Sequence, residues 1–399
     1  MTSKIDFWDL GYLIVYGIVL ARCLYETTMF SQDILVGTFR YALALMVIYV
    51  GCKLLFSHQY SRREQIISVL FIALFAVAAF NTGYYELLEP ALLIVGAKHV
   101  RFDNILKVFI GISAIIMIAA AIASLVGVIP DVIGYSLRNP DLPRHSFGII
   151  YYTDFAAHVF YLVLAFAALE IWRRKSLSRY ISCIPWIIVL LAAVFVYCKS
   201  GAYTSTICLA GFMLLSAAIW LFNKKGWGKA VCGKLKYLPI LWSALFLSLS
   251  YFYNADSLIL SRINGWLSDR LSISNIAWNQ YKVKLFGQSI PEFGWGGIVN
   301  TYEVDTASYF FLDDMYIRAL FEYGIIVFAL MLIILIVIAH RAVQAEHYVL
   351  FAAVIMIGVH SLMEHHLLEV AYNPFLLILF AKIRNDEKPK IIQHYENEG

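Results

Sequence analysis

Apolar runs long enough to cross a lipid bilayer recur along almost the whole chain. A hydrocarbon core about 30 Å thick takes roughly 20 apolar residues for each helical span. Of the 399 residues, 61% are hydrophobic and 15% are charged, whereas a soluble globular domain has about 25% charged residues. A soluble fold of this size could not bury so much apolar surface. The sequence therefore predicts an all-α, polytopic membrane protein that forms one membrane domain over residues 1–399.

The apolar runs divide the chain into about 12 predicted spans, because each run approaches the length that a crossing helix needs. They are Phe7–Leu24, Ile34–Phe56, Ile66–Phe80, Leu87–Ala97, Ile105–Ile129, Ile149–Trp172, Ile181–Cys198, Tyr203–Phe222, Leu238–Phe252, Met315–His340, Tyr348–Leu362 and Val370–Ile383. The run Leu87–Ala97 is the weakest, since it is short and contains Pro90. We predict a tilted or re-entrant segment there.

Lysine and arginine residues gather in every second gap between the predicted spans. Gaps rich in these residues stay cytoplasmic under the positive-inside rule. The clusters are Lys53–Arg63, Lys98–Lys107, Arg173–Arg179, Lys224–Lys236 and the residues from Lys382 onward. This pattern predicts that both termini are cytoplasmic and that the charged tail at 385–399 is a flexible, solvated end. The remaining gaps then face outward.

Three outward segments are predicted to carry the functional site: residues 130–148, 253–314 and 360–373. Long loops are uncommon in compact proteins and tend to be functional. The cytoplasmic segments are too small for a nucleotide-binding fold and contain neither a P-loop nor a dinucleotide-binding fingerprint. The six cysteines show neither disulfide nor metal-site spacing.

The long segment 253–314 contains apolar residues at helical spacing over residues 257–287, which predicts an amphipathic interfacial helix. Arg262 and Arg270 lie about two turns apart on this helix, at an angular offset of roughly 80°. We predict that they face one site, where guanidinium groups bind phosphate or carboxylate oxygens. Pairing with nearby aspartates, or contact with lipid headgroups, stays open as the alternative.

The segment 130–148 places Arg144 and His145 before a predicted span whose first turns hold Asp154 and His158. Asp154 and His158 are four residues apart and share a helical face. Ionisable groups inside a span are costly and usually face a cavity or a partner. An Asp154–His158 pair that closes the helix end is the alternative.

The segment 360–373 contains two acid–imidazole pairs at helical spacing. His360 precedes Glu364 by four residues, and His365 precedes Glu369 by four. Such pairs can transfer protons, and pairing between spans without chemistry is the open alternative. Histidine and glutamate also bind zinc, but the pattern H-E-x-x-H is absent, and no metal site is predicted.

At these segments the chain resembles the Wzy-type polysaccharide polymerases, which group with the O-antigen polymerases and ligases. R-H-S-F-G at 144–148 is similar to the family's R-H-S-x-G-F-x-H-P-N, and N-G-W-L-S-D-R-L at 264–271 is similar to N-x-x-L-S-x-R-L. L-D-D-M-Y and E-Y-G within 312–324 are similar to L-D-N-x-Y…Y-G. Glu364 and Y-N-P at 372–374 complete the series, which keeps the family's order over most of the chain.

Two departures from the family pattern affect the site. Y-T-D at 152–154 stands in place of H-P-N, so Asp154 takes the position of an amide. K-S-G at 199–201 stands where relatives often carry S-R-T, so an arginine expected at that corner is missing.

The resemblance implies a metal-independent glycosyltransferase of a bacterial plasma membrane, with no cofactor and no nucleic-acid partner. Its donor and acceptor would be glycans carried on undecaprenyl diphosphate, which it would polymerise into capsular polysaccharide or exopolysaccharide. Flippase and chain-length regulator proteins would be its partners. A glycan ligase of the same superfamily and a transporter are the competing interpretations, and the latter would bind at the midplane of broken helices.

The family pattern also implies roles for individual residues. The predicted diphosphate ligands are Arg144, Arg262, Arg270 and Arg318. The predicted general bases are Glu364, His145 and His360. The further candidates for the site are Asp154, His158, Asp314 and His365.

Overall fold

The computed structural model describes residues 6–32, 38–136, 139–173, 183–294 and 309–383. The predicted flexible tail at 385–399 and residues 295–308 of the long predicted outer segment lie outside this part of the chain. Most of the described residues are helical, and the two strands β1 (Ile133–Ser136) and β2 (Asn139–His145) form an antiparallel pair.

Fifteen α-helices are numbered here along the described chain. They are α1 (Phe7–Glu26), α2 (Thr38–Phe56), α3 (Arg62–Thr82), α4 (Leu88–Gly96), α5 (Phe102–Leu125), α6 (Tyr152–Arg173), α7 (Ile184–Ser200), α8 (Tyr203–Lys224), α9 (Gly228–Leu235), α10 (Leu238–Tyr251), α11 (Leu258–Trp266), α12 (Arg270–Gln280), α13 (Met315–Arg318), α14 (Ile325–Gln344) and α15 (Tyr348–His360). Short 3-10 turns occur at Met29–Gln32, Tyr85–Leu87, His366–Leu368 and Pro374–Leu379, and a π-helical turn occurs at Ala319–Tyr323.

Eight helices in the described residues are long and apolar enough to cross a membrane, with α9 and α10 counted as one. This confirms the prediction of a polytopic helical membrane protein. The helices α7 and α15 are shorter apolar helices, and the weak predicted span at Leu87–Ala97 forms the nine-residue α4. The last predicted span, Val370–Ile383, forms a 3-10 turn instead of a long helix. The total of about 12 spans stays a prediction.

The helix α3 shows how local sequence sets the helix ends. Ser61 accepts a hydrogen bond from the Glu64 amide, and the Glu64 carboxylate accepts one from the Ser61 amide in return, which forms a capping box. Gly83 ends the helix in a left-handed conformation at φ 82°, which glycine adopts without a steric penalty. Between these caps the apolar residues give α3 the length of a span.

The two ends of the helical bundle differ in character. At one end Lys53 donates hydrogen bonds of 2.8 Å to the carbonyls of Gly96 and Lys98, and Lys98 pairs with Glu64. At the other end α1, α5 and α7 finish, α6 and α8 begin, and the Thr27 carbonyl accepts a hydrogen bond from the Ile150 amide. We call the latter the site end. The lysine- and arginine-rich gap residues at 53–63 and 98–101 therefore lie at the opposite end.

The helix α15 and the 3-10 turn that follows it form a short hairpin. With 13 residues, α15 is about 20 Å long, which is shorter than a hydrocarbon core of about 30 Å. The returning limb is fixed because Arg341, in the last turn of α14, donates hydrogen bonds to the carbonyls of Ile378, Leu379 and Ala381. The loop at 361–373, which joins the limbs at the site end, is thereby held inside the bundle, and most of its residues are buried.

The single interfacial helix predicted over 257–287 is wrong, because the structure divides it into α11 and α12. Ser268 and Asp269 between them adopt left-handed backbone at φ 50° and 65°, a conformation that costs roughly 1–2 kcal/mol for a residue with a Cβ atom. The turn rotates α12 against α11, so Arg262 is exposed on α11 and Arg270 is mostly buried at the start of α12. The prediction that the two arginines face one site from a single helix is therefore wrong.

The chain after α12 caps the N-terminus of α14 through backbone hydrogen bonds. The amides of Ile325 and Ile326, at the first turn of α14, donate to the carbonyls of Lys284 and Leu285 at 3.1 and 3.2 Å. These are donors that a helix leaves without intrahelical partners. Gly324 makes the close approach possible, because a Cβ atom there would lie 2.2 Å from the Gly287 nitrogen.

The substitution Gly324→Ala is expected to destabilise this junction by about 3 kcal/mol, through the backbone strain at φ 92° and the clash with Gly287. Thermal unfolding of the purified protein in detergent, followed by intrinsic fluorescence, measures the loss. Gly265→Ala in α11 is the matched control, since a Cβ atom there meets nothing within 4 Å. Equal unfolding temperatures for the two variants would contradict the assigned packing.

Candidate functional site

A cavity of about 680 Å³ opens at the site end, and all three segments predicted to carry the site contribute to it. The segment before α6 provides Arg144 and the start of α6 provides Asp154, while the corner between α7 and α8 forms one wall. Arg270 enters from α12, and Glu364 and His365 enter from the loop at 361–373. Five of the predicted site residues therefore line one cavity.

Arg144 is oriented by the corner between α7 and α8. Its Nε donates a 2.8 Å hydrogen bond to the Ser200 carbonyl, and its guanidinium carbon lies 3.8 Å from the centre of the Tyr152 ring. The side chain passes over Gly201, where a Cβ atom would come within 3.1 Å of Nε. The corner sequence lacks the arginine that the family resemblance leads one to expect, and the structure brings the guanidinium of Arg144 to this same corner.

Arg270 is aimed at the cavity by the turn between α11 and α12. Buried Asn264 supports that turn, since its side chain donates to the Asp269 carboxylate at 2.9 Å and accepts from the Ser272 amide at 3.0 Å. Nη2 of Arg270 lies 2.8 Å from an Asp313 oxygen, and its Nε has no hydrogen-bond partner among the described residues. Burial lowers the pKa of Arg270, but the charges of Asp313 and Glu364, with smaller effects from neighbouring tyrosines, together outweigh burial and raise the pKa above its usual value.

The loop at 361–373 places a buried histidine between three carboxylates. Nδ1 of His366 lies 3.1 Å from a Glu369 oxygen, while its Nε2 faces Asp154 at 3.6 Å and Glu364 at 3.8 Å. His366 was not among the predicted site residues, because helical spacing pairs Glu369 with His365 instead. That predicted pair is also present, at 3.3 Å. The sequence signal that could have identified His366 is that it is the second of two adjacent histidines in the run E-H-H-L-L-E at 364–369.

The predicted pairs His360–Glu364 and Asp154–His158 are both replaced by other contacts. The helix α15 ends at His360, and Glu364 is joined to His360 through the backbone, by a 3.1 Å hydrogen bond from its amide to the His360 carbonyl. His360 lies 3.1 Å from the Ser205 hydroxyl and stacks on Phe160. His158 contacts the Thr27 hydroxyl at 2.9 Å and stacks on Tyr372.

Ionisation differs among the loop groups, which lie outside the membrane-spanning helices. Burial raises the pKa of Glu364 to about 7, against the opposing charges of His366 and Arg270. Burial would also raise the pKa of Glu369, but His366 and His365 hold it at about 2. Burial lowers the pKa of His366, yet Glu369 and Asp154 outweigh burial and keep it well above the usual range. Glu364 is therefore the lining group suited to accept a proton near neutral pH.

The remaining predicted site residues lie away from this cavity. His145 is held 2.6 Å from Asp131 and packs against Phe147. Asp314 caps α13 by accepting hydrogen bonds from the amides of Tyr316 and Ile317. Both residues thus have structural contacts that account for their positions.

Arg318 and Arg262 also lie outside the lining of the large cavity. Arg318 is 2% exposed and pairs with Glu292 at 2.7 Å and with Glu322 at 2.9 Å. Because two carboxylates already bind its guanidinium, it has little charge left to offer a diphosphate. Arg262 is exposed on α11. These two predicted diphosphate ligands are therefore not brought together with Arg144 and Arg270.

His365, His366 and Glu369 are suited to bind a metal ion by residue type, and their ligand atoms lie within 4.8 Å of one another. Imidazole nitrogens with a carboxylate are typical ligands of zinc and other transition metals. Ion pairs explain the closeness of these side chains equally well, if a protonated His366 lies between Glu369 and Asp154. The prediction that the site uses no metal stays a prediction.

Comparisons of the chain with protein-family models, with curated proteins and with solved structures found no match. The fold and the cavity therefore define it by class alone. It is a helical membrane protein with a charged cavity at one end of its bundle.

The substitution His366→Leu is expected to destabilise the protein by about 2 kcal/mol, because it removes the cation that faces buried Glu364, mostly buried Asp154 and partly exposed Glu369. Unfolding in detergent at constant pH measures this loss. His145→Leu is the control, since its partner Asp131 also accepts hydrogen bonds from the amides of Ser146 and Phe147. The control should change stability by less than about 1 kcal/mol. Similar losses in both variants would argue against a special role for the buried cluster.

Proposed function

We propose that the chain is a membrane glycosyltransferase that polymerises oligosaccharide repeat units carried on undecaprenyl diphosphate. The product would be a capsular polysaccharide or an exopolysaccharide. One observation carries the proposal: Arg144, Arg270 and Glu364 line a single cavity of about 680 Å³. The resemblance of the sequence motifs to Wzy-type polymerases supplies the substrate class.

The two arginines meet the electrostatic demand of the leaving group. In the proposed reaction a hydroxyl oxygen of the acceptor glycan attacks the anomeric carbon of the donor glycan. The bond from that carbon to the diphosphate oxygen breaks, and the bonding electrons leave with undecaprenyl diphosphate. Arg144 and Arg270 stabilise the negative charge that develops there, as oriented cationic donors do in other transfer reactions. Arg144 is well suited to this role, because its hydrogen-bond acceptor among the described residues is a neutral carbonyl.

Glu364 accepts the proton that the attacking hydroxyl loses. It lines the same cavity as the two arginines, and its pKa of about 7 allows it to be ionised in a useful fraction at neutral pH. His366 behind it stabilises the carboxylate form through its positive charge. His365, which also lines the cavity, contacts Glu369 and closes the wall beside Glu364.

The distribution of basic residues supports an outward-facing site. The lysine- and arginine-rich ends of α2, α3 and α5 lie opposite the cavity, and such ends remain cytoplasmic under the positive-inside rule. The cavity would then open on the outer face of a bacterial plasma membrane, where a flippase supplies the lipid-linked donor. Both termini would lie inside, as the sequence predicts.

The substitution Arg270→Ala is expected to abolish long polymer in cells whose own copy is deleted, because a transition-state cation is typically worth about 10²–10³-fold in rate. Single repeat units should accumulate on the lipid carrier. Arg262→Ala is the matched control and should restore wild-type chain length, since Arg262 is exposed on α11. Gel electrophoresis of the glycan and mass spectrometry of extracted lipid carriers measure both products.

Other outcomes of this experiment separate the competing functions. Long polymer that forms in the deletion strain but does not reach its final acceptor would indicate a ligase. Polymer that is normal in amount and attachment without the protein would contradict both transferase activities and favour a transporter.

The initial rate is expected to rise with pH through about 7, since Glu364 must lose its proton before it can act as a base. Protein reconstituted in lipid nanodiscs, with lipid-linked repeat units extracted from the deletion strain, allows this measurement. Glu364→Gln should remain slow at every pH. A wild-type rate that falls as pH rises, or a fast Glu364→Gln variant, would remove Glu364 from the role of base.

A further inference from the structure

A second cavity of about 250 Å³ lies directly beside the first. Phe311 and His365 line both cavities, so the wall between them is formed by these side chains. The two rings meet edge to face with their centres 5.3 Å apart, and the guanidinium carbon of Arg318 lies 4.8 Å from the centre of the Phe311 ring. A ligand in the second cavity would therefore be close to whatever reacts beside Glu364.

The charges of the second cavity do not suit a phosphate. Its two guanidinium groups are already neutralised, because Arg22 binds Glu26 and Glu89 while Arg318 binds Glu292 and Glu322. Of the two further carboxylates that line the cavity, Glu369 is paired with His366 and His365, and Glu86 is exposed. Because each guanidinium of this lining is already bound by carboxylates, the cavity disfavours an anion, and its carboxylate oxygens can accept hydrogen bonds from hydroxyl or ammonium groups.

The shape and remaining lining suit a sugar ring. Tyr84 and Tyr323 contribute aromatic rings, with centres 6.3 Å apart at an interplanar angle of 63°, and Phe311 adds a third. Aromatic faces pack against the apolar C–H faces of a ring, while polar groups around them fix its hydroxyls. The volume of about 250 Å³ is less than half that of the first cavity, which suits a single sugar ring.

We propose that the second cavity is a glycan subsite, which binds one sugar ring of the lipid-linked substrate next to the ring that reacts. This inference rests on the proposed transferase function. The carboxylate lining selects a neutral or amino-bearing sugar over an acidic one. The structure thus divides the substrate, with the diphosphate held by the guanidinium groups of the first cavity and a hydroxyl-rich ring held by the carboxylates and tyrosines of the second.

Two neighbouring tyrosines provide a matched test. Tyr84 lines the second cavity, whereas Tyr85 does not, and their side chains are comparably exposed at 38% and 44%. In the nanodisc assay Tyr84→Ala is expected to raise KM for lipid-linked repeat units about tenfold and to leave kcat within about twofold, since a ring held equally in ground and transition states affects binding alone. Tyr84→Phe should recover most of the affinity, and Tyr85→Ala should match the wild type.

A carboxylate of the lining provides a second, independent variant that is also expected to raise KM. Glu86 is exposed and lines the subsite, so Glu86→Gln should also raise KM without lowering the unfolding temperature. Wild-type KM values for Tyr84→Ala and Glu86→Gln would overturn the subsite while the transferase function stood. An absence of polymerisation by the wild-type protein would instead overturn the proposed function itself.

Discussion

The buried imidazole of His366 is the contact on which the rest of the site depends. It lies between Glu369 of its own loop and Asp154 of α6, and it faces Glu364 in the wall of the large cavity. Glu364 is buried and Asp154 is mostly buried, so leaving these two carboxylates without a cation would be unfavourable. The cluster therefore ties the loop to α6, and the loop in turn sets the positions of Glu364 and His365.

Pairing, more than residue type, decides what each arginine can do. Arg318 is the most deeply buried of the predicted diphosphate ligands, yet Glu292 and Glu322 neutralise it. Arg144 is bound through Nε to a carbonyl and stacked on Tyr152, so among its described contacts no carboxylate competes with a bound anion. Arg270 is intermediate, because Asp313 holds one terminal nitrogen. A family motif identifies these arginines, but it cannot show which of them are already paired with carboxylates.

Periodicity predicted most of the helices and placed Arg144, Arg270 and Glu364 in segments that do meet. It failed where the backbone leaves the helical path. The left-handed residues Ser268 and Asp269 rotate Arg270 away from Arg262, and the hydrogen bond from Asn264 to Asp269 that supports this turn is not predicted by helical periodicity. Periodicity likewise paired His360 with Glu364, whereas their side chains contact Ser205 and His366. His366 was overlooked because helical spacing pairs Glu369 with His365, and because its other partner, Asp154, lies on α6 and is brought close only by tertiary packing.

The irregular backbone is concentrated where the chemistry is proposed, and lipid explains why. Unsatisfied backbone groups are costly in a bilayer, so non-helical chain persists there only where protein encloses it or a cavity borders it. The loop at 361–373 is enclosed in this way, and the π-helical turn at 319–323 is buried beside it and carries Tyr323 into the smaller cavity. Both cavities share the wall of Phe311 and His365. A lipid-linked glycan that spans them would find the guanidinium of Arg144, held by a neutral carbonyl, on one side of this wall and guanidinium groups already bound by carboxylates on the other, so its diphosphate is favoured in the first cavity.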